Sequence, residues 1–184
     1  MIICKARFLG LKFLEVNTKA YGDKAFALNA TTDGEGALSY TSSNTKVASV
    51  DKTGKVTIKG VGTATIIINA AATDSYKAAS ATVKLTVIPA KVTISKISTP
   101  KTAQVKVTWK KDSKATGYQL VYASDKSFTK NVTTVSVKKN TTTSKTIESL
   151  TSKKKVYVKV RSYTTVNGTN MYGKYSAVKS VTVK

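Results

Sequence analysis

The chain has 184 residues, 31 Lys and Arg against 9 Asp and Glu, no histidine and a single cysteine. Without histidine it lacks the commonest general base and metal ligand, and Cys4 alone can form neither an intrachain disulfide nor a cysteine zinc cluster. So few acids rarely place two carboxylates across a glycosidic bond, and no catalysis, metal or cofactor is expected.

At the N-terminus, Lys5 and Arg7 interrupt an apolar stretch of Ile2, Ile3, Phe8, Leu9, Leu11, Phe13 and Leu14, and no small-residue cleavage site follows. Residues 1–16 are a poor signal peptide and are expected to be either an irregular N-terminus or an incomplete gene product, holding a weakly ordered strand or helix. From Tyr21 the pattern becomes regular. Tyr21-Gly22-Asp23 is a turn, and residues 24–29 put Phe26 and Leu28 on one side, which predicts a half-buried strand. After a polar loop, residues 38–42, 47–50, 55–58 and 63–68 each read as a strand. Ser43-Asn44, Asp51-Lys52-Thr53-Gly54 and Gly60-Val61-Gly62 supply the turns between them. Thr65 to Ile68 is apolar on both sides, as in a strand buried centrally, and residues 81–88 close the series with Val83, Leu85 and Val87 on one face.

The segment from Leu38 to Ile68 resembles the bacterial immunoglobulin-like domain, group 2. The resemblance rests on a serine-rich turn after an aromatic strand, then Val-Ala-Ser-Val-Asp, Gly-Lys-Val-Thr and Gly-Thr-Ala-Thr-Ile. Members often carry tryptophan where Tyr40 stands. The resemblance implies a non-catalytic module of a secreted or cell-surface protein, and places residues 17–88 in this domain.

Pro89-Ala90-Lys91 is the expected linker, because proline cannot donate to a ladder and pushes the residue before it to extended geometry. So short a linker would leave the two modules end to end with limited bending. Beyond it, residues 92–96, 103–109, 117–124, 132–137, 144–148, 156–165 and 177–183 predict seven strands. Val105-x-Val107-x-Trp109, Gly117-Tyr118-Gln119-Leu120-Val121-Tyr122, Leu150 ahead of Val156-x-Val158-x-Val160, and Tyr172-Gly173-x-Tyr175-Ser176 make residues 92–184 similar to a fibronectin type III domain. That family usually has a tyrosine where Val156 stands. Either Tyr157 substitutes by a local shift or the corner lacks its hydroxyl tie. The expected fold class is therefore all-β, two tandem immunoglobulin-like β-sandwiches.

Charge is unevenly spread: residues 1–90 hold 11 Lys and Arg against 6 acids, and residues 91–184 hold 20 against 3. Such a field attracts anionic polymers with little selectivity and strong salt dependence, while lysine on exposed edges also keeps sheets from pairing with one another. With Val156, Val158 and Val160 turned inward, Tyr157, Lys159, Arg161 and Tyr163 must project together from the other face, with Lys153, Lys154 and Lys155 just upstream. Rings interleaved with cations suit sugars and anionic polymers, and the same pattern serves a sheet face whose side chains pack on one another. These seven residues are the candidate binding residues.

Asp33, Glu35, Asp51 and Asp74 could offer oxygen to calcium but do not sit at a recognised loop spacing, so no metal site is assigned. A lysine–amide crosslink would bury a lysine and an acid together at high cost and is not expected. No apolar run approaches the ~20 residues of a membrane-spanning helix, so membrane insertion is not expected.

The sequence thus reads as a stalk or adhesion segment of a bacterial cell-surface or secreted protein, extracellular by resemblance and monomeric in isolation. Its expected partners are anionic cell-wall polymer or extracellular polysaccharide. The alternatives are a carbohydrate-binding accessory module of a secreted enzyme and non-specific nucleic-acid binding by the basic half.

Overall fold

The computed structural model describes residues 7–8, 10–34 and 36–184, and side chains from residue 10 onward. Cys4, Lys5 and the rest of residues 1–6, Leu9, and Glu35 among the acids weighed for calcium, lie outside the described residues. The chain divides into two units, Met1–Ile88 and Pro89–Lys184. No helix is present among the described residues, and the fold is all-β.

In the first unit the strands are β1 (Arg7–Phe8), β2 (Leu11–Lys12), β3 (Thr18–Ala20), β4 (Phe26–Ala27), β5 (Thr31–Thr32), β6 (Leu38–Ser42), β7 (Ala48–Val50), β8 (Lys55–Ile58), β9 (Gly62–Ala70), β10 (Tyr76–Lys77) and β11 (Ala79–Ile88). One sheet has the order β3-β11-β9-β6 and the facing one β4-β8-β7, with short pairs β2-β5 and β1-β10 beside them. The long hairpin β9–β11 sets the register, from Ala79 opposite Ala70 to Val87 opposite Gly62. That register turns Ala64, Ile66 and Ile68 of β9 and Val83, Leu85 and Val87 of β11 onto the same core, where they meet Leu28, Val47, Ala48 and Val56. A register slip of one residue would move this whole set to solvent.

Two expectations change here. Thr65 to Ile68 is not buried on both sides: Ile66 and Ile68 face the core and Ile67 is half-buried, because the β3-β11-β9-β6 sheet presents only one face to the core. Residues 24–29 shorten to β4: the Leu28 N–H still donates in register to the Gly54 carbonyl (3.0 Å), but the Gly54 N–H turns back to Asp51 (3.0 Å) and the Leu28 carbonyl accepts from Leu14 (2.7 Å), so the ladder ends there. Leu11, Phe13 and Val16 of the segment expected to be irregular pack against the core.

The β7–β8 turn shows how local chemistry fixes the layer. Asp51 Oδ1 accepts from the Thr53 N–H (2.9 Å), the Thr53 hydroxyl (2.7 Å) and the Lys55 N–H (3.1 Å). Gly54 has a φ of 78°, and a Cβ there would lie 2.8 Å from Cζ of Tyr40, so the turn and the aromatic strand are fitted to one another.

The second unit comprises β12 (Ile94–Ser98), β13 (Val105–Trp109), β14 (Gly117–Ala123), β15 (Thr133–Val137), β16 (Ser144–Ile147), β17 (Lys155–Val166), β18 (Thr169–Tyr172) and β19 (Lys179–Thr182). A three-stranded sheet β12-β13-β16 packs on a five-stranded one, β15-β14-β17-β18, with β19 also on β17. Among the described residues there are eight strands, not seven. The added β18 forms a hairpin with β17 through Asn167 and Gly168, whose φ values of 49° and 78° match the primed two-residue turn that this dipeptide favours.

The core joins Val105, Val107 and Trp109 of the small sheet to Tyr118, Leu120, Val156, Val158 and Val160 of the large one. Trp109 is 2% exposed and meets Tyr118 edge to face, with centroids 5.3 Å apart and planes at 63°. At the corner before β17, Val156 is buried and Tyr157 lies half-buried on the outer face, so Tyr157 does not substitute for the family tyrosine. Away from that corner, the buried Tyr118 hydroxyl donates to the Asn140 carbonyl (3.0 Å) and accepts from the Asp112 N–H (2.9 Å). Burial raises its pKa above the ordinary tyrosine value.

Candidate binding face of the second unit

Strand β17 alternates as its valines require. Val156, Val158 and Val160 point into the core, and Tyr157, Lys159 and Arg161 stand half-buried on the opposite face. The neighbouring β14 places Ala123, Val121, Gln119 and Gly117 opposite Tyr157, Lys159, Arg161 and Tyr163. Val121 is nevertheless only 4% exposed, so something covers this outer face.

The cover comes from segments outside the β14–β17 ladder. Strands β18 and β19 share one edge of β17, β18 pairing with residues 163–166 and β19 with residues 155–158. The stretch between them stays tied to that edge, Gly173 donating to the Ser162 carbonyl (3.0 Å) and Ser176 to the Val160 carbonyl (2.7 Å). This brings the Tyr175 ring over the face. The Arg161 guanidinium sits 4.0 Å from the Tyr172 ring centroid and 4.4 Å from that of Tyr175. Lys159 Nζ sits 4.7 Å from Tyr175 and 3.8 Å from Phe128. Tyr172, Arg161, Tyr175, Lys159 and Phe128 thus form a ladder of alternating rings and cations. Gln119 Oε1 braces it, accepting from Arg161 Nε (2.8 Å) and the Tyr175 hydroxyl (2.9 Å). Each ring–cation contact contributes roughly 0.5–1 kcal/mol when exposed and up to about 2 when shielded from water.

The seven candidate residues therefore fall into separate environments. Lys159 and Arg161 are engaged in the ladder. Tyr163 shares their side of the sheet but is only 7% exposed, lying 5.8 Å from Tyr172 and above Gly117, so its ring is not offered to a ligand. Tyr157, Lys154 and Lys155 line a hollow at the start of β17, and Lys155 Nζ is 5.6 Å from the Tyr157 ring. Lys153 lies in the corner before it, at a φ of 59°, its N–H donating to Val183. Phe128, Tyr172, Tyr175 and Gln119 were not among the candidates. Period-two reasoning finds the cations on β17 but carries no signal for rings that reach the face from connections.

Phe128 is held by a compact loop. Asp125 accepts from the N–H groups of Lys130 (2.8 Å) and Thr129 (3.0 Å) and from the Thr129 hydroxyl (2.9 Å). Hydrogen bonds to its charged form, that from the Lys130 N–H foremost, lower the pKa of Asp125. Asp51 is lowered in the same way, by the Thr53 hydroxyl first and then the N–H groups of Lys55 and Thr53. Both carboxylates stabilise the fold above the unfolded value of about 3.9, and that contribution is lost as pH falls through their lower folded values. Asp51→Asn and Asp125→Asn are accordingly expected to flatten the fall in stability below about pH 4, read from urea midpoints against pH. Unchanged slopes in both variants would remove these loops from the acid response.

Asp33 and Asp74 line one shallow hollow of the first unit with Gly34, Thr73, Ser75 and Tyr76. Among the described residues no three His, Cys, Asp or Glu side chains gather as a metal site would require. No helix of the described residues is long and apolar enough to cross a membrane.

Residues 26–73 match the family model described as the immunoglobulin-like domain of intimin. The first unit is thus similar to a bacterial immunoglobulin-like domain, as the motifs at Leu38 to Ile68 imply, though the matching model is that of intimin and not group 2. No curated protein matches the chain. Among solved structures, the FN1–FN3 domains of chicken CNTN1 align at 16% identity and a TM-score of 0.43, covering 98% of this chain and 56% of that one. Domains A168–A170 of titin align at 14% identity and a TM-score of 0.36, covering 94% and 66%. The chain thus spans between about half and two thirds of those structures.

Proposed function

We propose that this chain is a non-catalytic spacer segment of a modular bacterial surface or secreted protein. The observation that carries the reading is the use of the aromatic and cationic residues on the outer face of the second unit. Arg161 and Lys159 are sandwiched between the chain's own rings and braced by Gln119, which stiffens a sandwich and leaves few of those groups for a ligand. Separate cores, one in each unit, support the same reading, since a spacer works when each module keeps its fold under load. Similarity of residues 26–73 to the intimin immunoglobulin-like domain supports a place on the cell surface.

Stretching single molecules by their ends tests this. Two discrete unfolding events per molecule, both recovered on relaxation, are expected. Extension without force peaks would overturn the spacer.

A second reading, adhesion to anionic wall polymer, is favoured by the 20 Lys and Arg against 3 acids in residues 91–184. It calls for retention on such a polymer at physiological salt, whereas the spacer calls for retention only at low salt, where counterion release favours any polycation.

A further inference from the structure

We propose that the hollow at the start of β17 binds an acidic saccharide, a pyranose ring carrying a carboxylate or a phosphate. The hollow forms where the end of β14, the connection to β15 and the corner leading into β17 meet, and its volume is about 520 Å³. That lies within the range of about 300–1,000 Å³ usual for small-molecule sites. Its chemistry is graded. Leu150, Ala123 and Val156 contribute apolar lining, and two half-buried rings belong to it from opposite faces of the sheet, Tyr122 from the side that packs on the core and Tyr157 from the outer side. Lys154 and Lys155, both exposed, stand at its margin, and no acidic residue lines it.

This combination selects its occupant. The C–H face of a pyranose is apolar and lies flat on a tyrosine ring, whereas its hydroxyls need the hydroxyl and amide groups that Ser124, Asn131 and Thr151 place around the hollow. Asn131 Nδ2 already donates to Ser124 Oγ (3.3 Å), so these two groups act together on that side. A neutral sugar would make no use of the two exposed ammonium groups, and a lipid chain would strand the polar groups. An acidic sugar satisfies both, its anion on Lys154 and Lys155 beside the Tyr157 ring. The spacing role does not depend on this site, because the cations of the ladder are not used by it.

The test is an amide chemical-shift titration of the full chain with trigalacturonate, glucose 6-phosphate and maltotriose at 0.15 M salt. Trigalacturonate or glucose 6-phosphate is expected to shift Ser124, Asn131 and residues 151–157, the stronger of the two identifying the preferred anion, and maltotriose to shift them at least tenfold more weakly. Lys154→Gln combined with Lys155→Gln is expected to weaken acidic-sugar binding about tenfold or more, and Lys106→Gln with Lys145→Gln, on the other sheet, to change it less than twofold. Shifts scattered over lysines of both sheets, equal losses in the two double variants, or maltotriose binding as well as trigalacturonate would each overturn the proposal. Should the first double variant fail to fold, the wild-type shift map decides alone. The force experiment is indifferent to all of these outcomes, so the spacer and the saccharide site fail separately.

Discussion

Trp109→Ala is expected to destabilise the second unit by about 3–5 kcal/mol, because the indole is the largest fully buried side chain and its loss leaves a cavity between the two sheets. A domain of this size holds only about 5–15 kcal/mol in total, so the variant should be partly unfolded at 37 °C. Calorimetry of the full chain reads the effect: one transition should fall by on the order of 15 °C, and that of the first unit should stay where it was. Equal shifts in both transitions, or a change below about 1 kcal/mol, would contradict the assignment of this ring to the core of its own unit. Trp109→Phe refines the test. Trp109 Nε1 is buried without a hydrogen-bond partner, a state that costs roughly 1–3 kcal/mol, so phenylalanine removes a burden together with some volume. Its loss should be less than half that of alanine.

Gly117→Ala is expected to cost about 3 kcal/mol although it adds one methyl group. A Cβ at this position would lie 2.2 Å from the Val137 carbonyl oxygen and 2.7 Å from the Tyr163 hydroxyl. A tyrosine tip can swing away, but the Val137 oxygen belongs to β15, whose residue Val137 is paired with Tyr118 next door. Either the β14–β15 register opens at this end or Tyr163 leaves its place beside Tyr172. Combining Gly117→Ala with Tyr163→Ala separates the two contacts. The double variant should recover only part of the loss, after correction for Tyr163→Ala alone, because the backbone clash persists. Full recovery in urea unfolding would mean that the hydroxyl alone forbids a side chain here.

The sandwich class was legible because its core strands obey period two. Val105, Val107 and Trp109, and Val156, Val158 and Val160, were assigned inward from spacing alone, and all six are buried. Strand β18 was not read, since Thr169, Asn170, Met171 and Tyr172 run exposed, exposed, half-buried, half-buried and carry no alternation. Its one local signal is the Asn167-Gly168 turn. Likewise β3, β5 and β10 are two or three residues long and owe their pairing to partners distant in sequence. The same limit governs the outer face. Lys159 and Arg161 follow from the valines between them, but Tyr175 and Phe128 arrive from connecting segments, and only three dimensions bring them over those cations. For Tyr163 the facing direction alone misled. It does stand opposite the core, yet Tyr172 and a glycine beneath make room for it to be buried.

The pairing of β3 with β11 has a mechanical meaning. These strands run parallel, Thr18, Lys19 and Ala20 beside Thr86, Val87 and Ile88, and the ladder is extended by the Thr86 N–H to the Asn17 carbonyl (2.9 Å) and the Tyr21 N–H to the Ile88 carbonyl (2.8 Å). One strand leads into the body of the unit and the other leads out toward Pro89. Tension along the polypeptide therefore drags the two past each other lengthwise, in shear, and these hydrogen bonds must rupture together instead of unzipping one after another.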